Sequence, residues 1–301
     1  MESNERITRK EILKKFKKKT PLQEIVYRFM QNRMAVVGLI IFTIILLCAI
    51  FADQIASYEG AALQMNIAER LQGPSAKHWL GTDEAGRDIF ARIIHGARNS
   101  LWIGFVATAF SLLVGGALGA IAGFFGKWVD ELIMRVMDVM LCLPDMLLAI
   151  AIVAAFGGSV VNMILAIGIS RIPRFARIVR SSVLTVRDME YVEAARAIGA
   201  RNGTIILRHV LLNCMGPIIV QITLIFASSI LAISSLSFLG LGIKPPAPEW
   251  GNMLAAGRNN MRDYGYLVLA PGLAIFLSIF SLNLLGDGLR DALDPRLKGK
   301  A

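Results

Sequence analysis

The chain has 301 residues, 55% of them hydrophobic and only 18% charged, with a mean hydropathy of +0.58; a soluble domain carries about 25% charged residues. That composition excludes disorder, and three cysteines exclude a disulfide scaffold. The net charge of +10 points to an acidic partner or a membrane surface, and charge-free intervals too long for loops decide for the membrane.

Residues 1–34 carry ten Lys and Arg, including the run Lys14, Lys15, Lys17, Lys18 and Lys19. Such a run could suggest nucleic acid, but shortly before a span it is read as an orientation signal that also attracts anionic lipid, so no nucleic-acid partner is expected. The first interval, Met34–Ala52, predicts a transmembrane helix over 35–52. Thirty-three residues precede it and no small-residue cleavage site follows, so it is expected to be retained rather than cleaved as a signal. Residues 53–99 then form a loop. A second, glycine-rich span lies between Arg98 and Lys127; its Gly115, Gly119 and Gly123 recur every four residues, line one face and permit close helix approach.

The stretch from Asp138 to Arg171 is too long for one crossing and breaks at Gly157-Gly158-Ser159 into two spans, with Asp145, directly after Pro144, the one charge inside it. Asp145 is read as structural, near an interface or a helix break, rather than as an ion relay. The 171–208 segment is expected to be a loop. It opens with Arg171, Arg174, Arg177 and Arg180, and continues through Tyr191–Ala200 as two short helices joined near Gly199, since Ala and Glu favour helix and Gly permits a sharp break. Thirty-four uncharged residues between His209 and Lys244 give one span and a further apolar segment, and a last span runs from Tyr264 and Tyr266 to Gly286. The total is six transmembrane helices, an all-α polytopic membrane protein.

Counting Lys and Arg by alternate segments gives 24 on one side against 8 on the other, which predicts that both termini and the 171–208 loop are cytoplasmic and that 53–99 and 237–265 lie outside. Cys48, Cys142 and Cys214 are scattered in apolar surroundings and are read as small buried hydrophobes. His78, His95 and His209 are equally dispersed, so no metal site is expected. No H-E-x-x-H, G-x-S-x-G or G-x-x-x-x-G-K-[ST] pattern occurs; the chain is expected not to be an enzyme and has no P-loop to cradle ATP.

A helix–turn–helix protruding between two spans suits docking into a partner's groove. Its Glu193-Ala194-Ala195-x-x-x-Gly199 resembles the EAA loop of the integral permeases of ABC importers. Leu80-Gly81-Thr82-Asp83-Glu84-Ala85-Gly86-Arg87-Asp88 is similar to the LGTD-x-x-GRD signature of dipeptide and oligopeptide permeases. Leu236–Gly242, Pro245-Pro246 with Glu249–Leu254, and the tail Asn283–Arg296 resemble the same group. One departure stands out, because Leu212 replaces the proline usual in the family's H-x-L-P-N; the fifth helix is therefore expected to start earlier, with Pro217 supplying a kink.

The resemblance covers about residues 20–298 and implies the ABC-importer permease (MetI-like) fold. Residues 1–34 and 291–301 would be cytoplasmic, and 100–290 would be a five-helix permease core. The implied partners are a homologous permease subunit, two cytoplasmic ATPase subunits that bind ATP and magnesium, and an extracytoplasmic substrate-binding protein; the chain itself holds no cofactor. Glu193, Ala194, Ala195 and Gly199 would couple to the ATPase, with Glu193 anchored on it or on Arg196. Asp83, Arg87, Asp88 and Trp250, with Trp79, are expected on the receptor-facing surface; alternatively the tryptophans mark the membrane interface and Arg87 holds its loop through Asp83 or Asp88. The implied function is ATP-driven import of di- or oligopeptides across a bacterial cell membrane. A stand-alone secondary transporter, a membrane-embedded enzyme, and nickel or glutathione as cargo remain alternatives.

Overall fold

The structure, a computed structural model, describes residues 21–293; the basic run and the tail beyond Leu293 lie outside them. Among the described residues there is no sheet, only an isolated bridge between Thr82 and Asp88. Helix α1 (Pro21–Gln31) leads into α2 (Arg33–Ile50), which starts where the Asn32 side chain accepts the Met34 and Ala35 amides at 3.1 and 3.2 Å. Such a side-chain acceptor satisfies amides that no preceding turn can.

Helix α3 (Ile89–Phe125) begins well before the expected end of the 53–99 loop. Asp88 caps it by accepting the Ala91 amide at 2.9 Å. Arg92, His95 and Arg98, which read as loop residues, lie in its first turns; His95 is 2% exposed and meets the Ala56 carbonyl at 2.8 Å.

Helices α4 (Lys127–Leu141) and α5 (Asp145–Phe156) meet at an angle of 83°. Pro144 accounts for the bend, since it lacks a donor and keeps the residue before it out of the helical region. The second break falls at Gly157–Ser159 as expected, and the Ser159 hydroxyl caps α6 (Val160–Val186) by accepting the Asn162 amide at 3.1 Å.

The segment expected to open a loop at Arg171 is helical as far as Val186. Three of its arginines are answered from α4 and the start of α5: Arg174 by Asp145 and Arg177 by Asp138, each at 2.7 Å, and Arg180 by Asp130 at 2.5 Å. Then follow α7 (Glu190–Ala197), a helical lead-in over 202–214, α8 (Met215–Phe238), α9 (Trp250–Gly257) and α10 (Tyr266–Leu293).

Among the described residues, four stretches are long and apolar enough to cross a membrane, namely Arg33–Ile50, Ile89–Phe125, Asn202–Phe238 and Tyr266–Leu293; the bent α4–α5 pair makes a fifth if its two helices form one span. The remaining expected span is α6, whose four arginines take it out of that apolar class. Helicity leading into the fifth span begins at Asn202, ten residues before Leu212. Its winding loosens into a π turn at Ile205–Val210 and a 3-10 turn at Leu211–Cys214. Pro217 follows directly on these turns, and its ring crowds the carbonyl four residues back, that of Asn213, within the 3-10 turn.

Two close approaches set the bundle. A Cβ on Gly115 or Gly119 would stand 2.5 Å from the Ile172 carbonyl oxygen or 2.3 Å from that of Ala176, and one on Gly123 would stand 2.9 Å from Val183 Cβ. Helices α3 and α6 therefore touch backbone to backbone along a four-residue register. Helix α2 lies on α10 in the same manner: Gly38 faces the Ser281 carbonyl, Ala35 sits under Gly288, and Asn32 donates to Asp291 at 3.1 Å. The cysteines divide: Cys214 is buried, Cys48 half-buried, and Cys142 exposed at the α4–α5 bend rather than buried as expected.

Candidate functional site

Four candidate residues converge at the α6–α8 end of the bundle. Val192 and Ala195 of α7 are buried at 0% and 5% exposure in a cluster with Phe124, Val183, Val186, Ile205 and Cys214. Glu193 and Ala194 lie on the opposite, exposed face. The acidic residues Glu190 and Glu193 are in the first turn and Arg196 in the last, which suits the helix dipole.

The helix closes with a paired cap. The Gly199 amide donates to the Arg196 carbonyl at 2.9 Å, and that of Ala200 to the Ala195 carbonyl at 3.1 Å. This reciprocal pattern requires a left-handed residue at the position Gly199 occupies, with φ of +79°. Nothing in the chain lies within 4 Å of where its Cβ would be. The neighbouring tip is apolar and exposed: Ile198 at 85% and Leu207 at 65%. Arg196 does not reach Glu193; its guanidinium lies over the Phe124 ring, 5.0 Å from the centroid. The result is an amphipathic helix clamped from behind with an exposed apolar tip in front.

At the opposite end, the four other candidates are each engaged by groups of the chain itself. Asp83 accepts the Ala85 and Arg87 amides at 2.8 and 3.0 Å and the Arg87 Nε at 2.7 Å, so Arg87 does hold the loop through Asp83. Asp88, besides capping α3, meets His78 Nδ1 at 2.7 Å. Trp250, expected on the surface, is 1% exposed, and its indole N–H donates to the Ile93 carbonyl at 3.0 Å. Trp79, by contrast, is 67% exposed.

Two residues that sequence reasoning passed over complete this end. Arg92, 4% exposed, donates to the carbonyls of Ala62 and Pro246 at 3.0 and 3.2 Å, tying two distant loops to α3. Glu249, fully buried, caps α9 by accepting the Gly251 and Asn252 amides at 2.9 Å each; burial pushes its carboxyl above the ordinary carboxylate range. A Pro-Glu-Trp-Gly stretch opening a short helix is a legible cap signal for Glu249. Nothing local announces the partners of Arg92. A cleft of about 250 Å³ opens between Asp83, Arg87, Arg92, Met253 and Leu267.

Residues 115–299 match the family model described as "Binding-protein-dependent transport system inner membrane component", and residues 20–74 that of the "N-terminal TM domain of oligopeptide transport permease C". The chain belongs to this permease family. The dipeptide transport system permease protein DppC of Alkalihalophilus pseudofirmus is 50% identical over 93% of this chain and 91% of its own length. The di/tripeptide permease DppC of Pseudomonas aeruginosa is 46% identical over 94% of each. The glutathione permease GsiD of Pectobacterium atrosepticum is 42% identical over 93% of each. Among solved structures, a chain of the MetNI methionine ABC transporter in an inward-facing conformation shares the fold, with a TM-score of 0.54 at 16% identity over 67% of this permease and 96% of that chain. The permease is thus all-α, membrane-integral and of the MetI-like type.

Proposed function

We propose that this permease forms half of a translocation path for di- and oligopeptides, pairing with a homologous permease subunit. Two ATPase subunits, which bind the ATP and magnesium, would grip α7 through Glu193, Ala194, Ala195 and Gly199. An extracytoplasmic binding protein would dock at the other end, on the surface that Asp83, Arg87, Asp88 and Trp250 shape from within and that Trp79 presents. The observation carrying the reading is the α7 turn, an exposed apolar tip on a clamped helix, in a chain half identical to a dipeptide permease. Closure of the ATPases on α7 would move α6 and α8 together, because all three share one buried cluster.

A second reading of the cargo, glutathione, is favoured by the 42% identity to GsiD. Uptake by a strain deleted for this permease, offered di- to hexapeptides, glutathione and nickel, separates them. Loss of di- and oligopeptide uptake, restored by the gene, is expected; intact peptide uptake with lost glutathione or nickel uptake overturns the peptide reading.

The same proposal sets the permease in the bacterial inner or plasma membrane with both termini cytoplasmic, supported by the distribution of Lys and Arg, which is still 20 against 8 when the four arginines within α6 are left out. In intact cells, an impermeant thiol reagent is expected to label Ser75→Cys and to spare Gly203→Cys. The opposite pattern inverts the topology.

A further inference from the structure

If α6 enters the bilayer at its first residue, it carries two arginines at a depth where a membrane tolerates few charges. At ~1.5 Å per residue, Arg171 lies about 17 Å and Arg174 about 21 Å from the start of the helix, close to the middle of a hydrocarbon layer roughly 30 Å thick. Arg171 is 5% exposed and wedged against α8, donating to the Ser228 hydroxyl at 2.5 Å and the Ser228 carbonyl at 2.9 Å; its Nε has no hydrogen-bond partner among the described residues. Arg174 is bound to Asp145 at 2.7 Å, yet its side chain remains 49% exposed, against 22% for Asp145. One turn further along, Arg177 and Asp138 form a second pair, at 55% and 47% exposure. Half-exposed ion pairs cannot face lipid tails, so this side of α6 faces water or protein.

The backbone is bent on the Asp145 side of the pair, and on the Arg174 side a proline sits within an unbroken helix. Pro144 bends α4 from α5 immediately before Asp145, and Pro173 removes a helical donor immediately before Arg174. Interrupted helices at membrane depth survive where they line a cavity, because water or cargo can satisfy the freed groups. With two guanidiniums against one carboxylate, the site keeps a positive charge at its centre.

We propose that Arg174, backed by Arg171 and partly neutralised by Asp145, lines the translocation path and receives the C-terminal carboxylate of the passing peptide. The assignment rests on the peptide-import reading. A planar guanidinium suits a carboxylate through two parallel hydrogen bonds, and Asp145 competes for the same donors, so the cargo is held and then released.

The test uses the complete importer in proteoliposomes, with trialanine and its C-terminal amide as cargo, at receptor concentrations giving equal occupancy by each. The wild type is expected to move the free acid faster. Arg174→Gln is expected to reduce that preference about tenfold, the order of one charge-assisted hydrogen bond, while receptor-stimulated ATP hydrolysis is retained. Asp145→Asn, which frees Arg174, is expected to widen the preference, and it decides the matter alone if Arg174→Gln fails to insert. Slowing of both cargoes alike, or an unchanged ratio in Asp145→Asn, overturns the assignment and leaves peptide import standing. A wild-type complex that imports neither cargo overturns the peptide reading and the assignment with it.

Discussion

Gly119→Leu is expected to leave the permease unable to close its central helix pair, so that the chain inserts but is degraded instead of accumulating. The added side chain would start 2.3 Å from the Ala176 carbonyl oxygen and 3.0 Å from the Ala176 Cα, and backbone on a packed helix cannot step aside as a flexible side chain can. Overpacking a tight interface costs about 1–3 kcal/mol per small intrusion, and more when the obstacle cannot move. Gly119→Ala is accordingly expected to lose about 2–3 kcal/mol. Gly116 supplies the internal control: it occupies the same helix, and its Cβ would meet only Leu112 Cδ1 at 3.7 Å and Val179 Cγ2 at 3.9 Å, ordinary contacts. Membrane abundance and the thermal midpoint of the purified chain report both. Equal losses in Gly116→Ala and Gly119→Ala would show that close approach is not what Gly119 provides.

Gly199→Asp is expected to separate folding from coupling. Its left-handed φ costs most side chains about 1–2 kcal/mol, but Asp is among the few that visit this conformation, and the space around it is empty within the chain. The variant should therefore fold and insert. If an ATPase subunit closes over the turn, a carboxylate introduced beside Ile198 is buried there, and receptor-stimulated ATP hydrolysis should fall at least about tenfold, the scale of an unpaired buried charge. Subunit association and stimulated hydrolysis are measured separately. Normal values for both, with normal transport, would remove Gly199 from the coupling surface. Ordinary surface substitutions, which change stability by about 0.5 kcal/mol or less, set the baseline.

The features legible in the sequence are those whose physics is local. A four-residue glycine spacing already places Gly115, Gly119 and Gly123 on one helix face, and Gly157-Gly158-Ser159 contains both the break and the next cap. Gly199 after an Ala- and Glu-rich turn is likewise a local stop signal, and the structure gives it the left-handed φ such a stop requires. What escaped reading depends on partners remote in the chain. Arg92 and Arg98 suggest a loop because charge suggests solvent, yet Arg92 is buried on carbonyls 30 and 154 residues away. Arg171, Arg174, Arg177 and Arg180 suggest the end of a span until Asp145, Asp138 and Asp130 are known to face the last three. Trp250 has the composition of an interface anchor, but its burial follows from the meeting of the α9 loop with α3, which no window of sequence contains. The 83° bend after α4 is announced by Pro144 only as a break, since a proline specifies the interruption and the neighbouring packing specifies the angle.

The seat of α2 on α10 bears on the order in which the bundle is made. Asn32, Ala35 and Gly38 belong to the first of the described spans in chain order, and Ser281, Gly288 and Asp291 to the last of them. Roughly 230 residues separate the starts of the two helices, which at ~5–20 residues per second is an interval of about 10–50 s. Throughout that time the leading helix has bilayer where its partner will be, and its freedom from charge between Met34 and Ala52 lets it wait there at no electrostatic cost. A span made early is therefore packed late, and it is the synthesis of α10 that locks α2 in place.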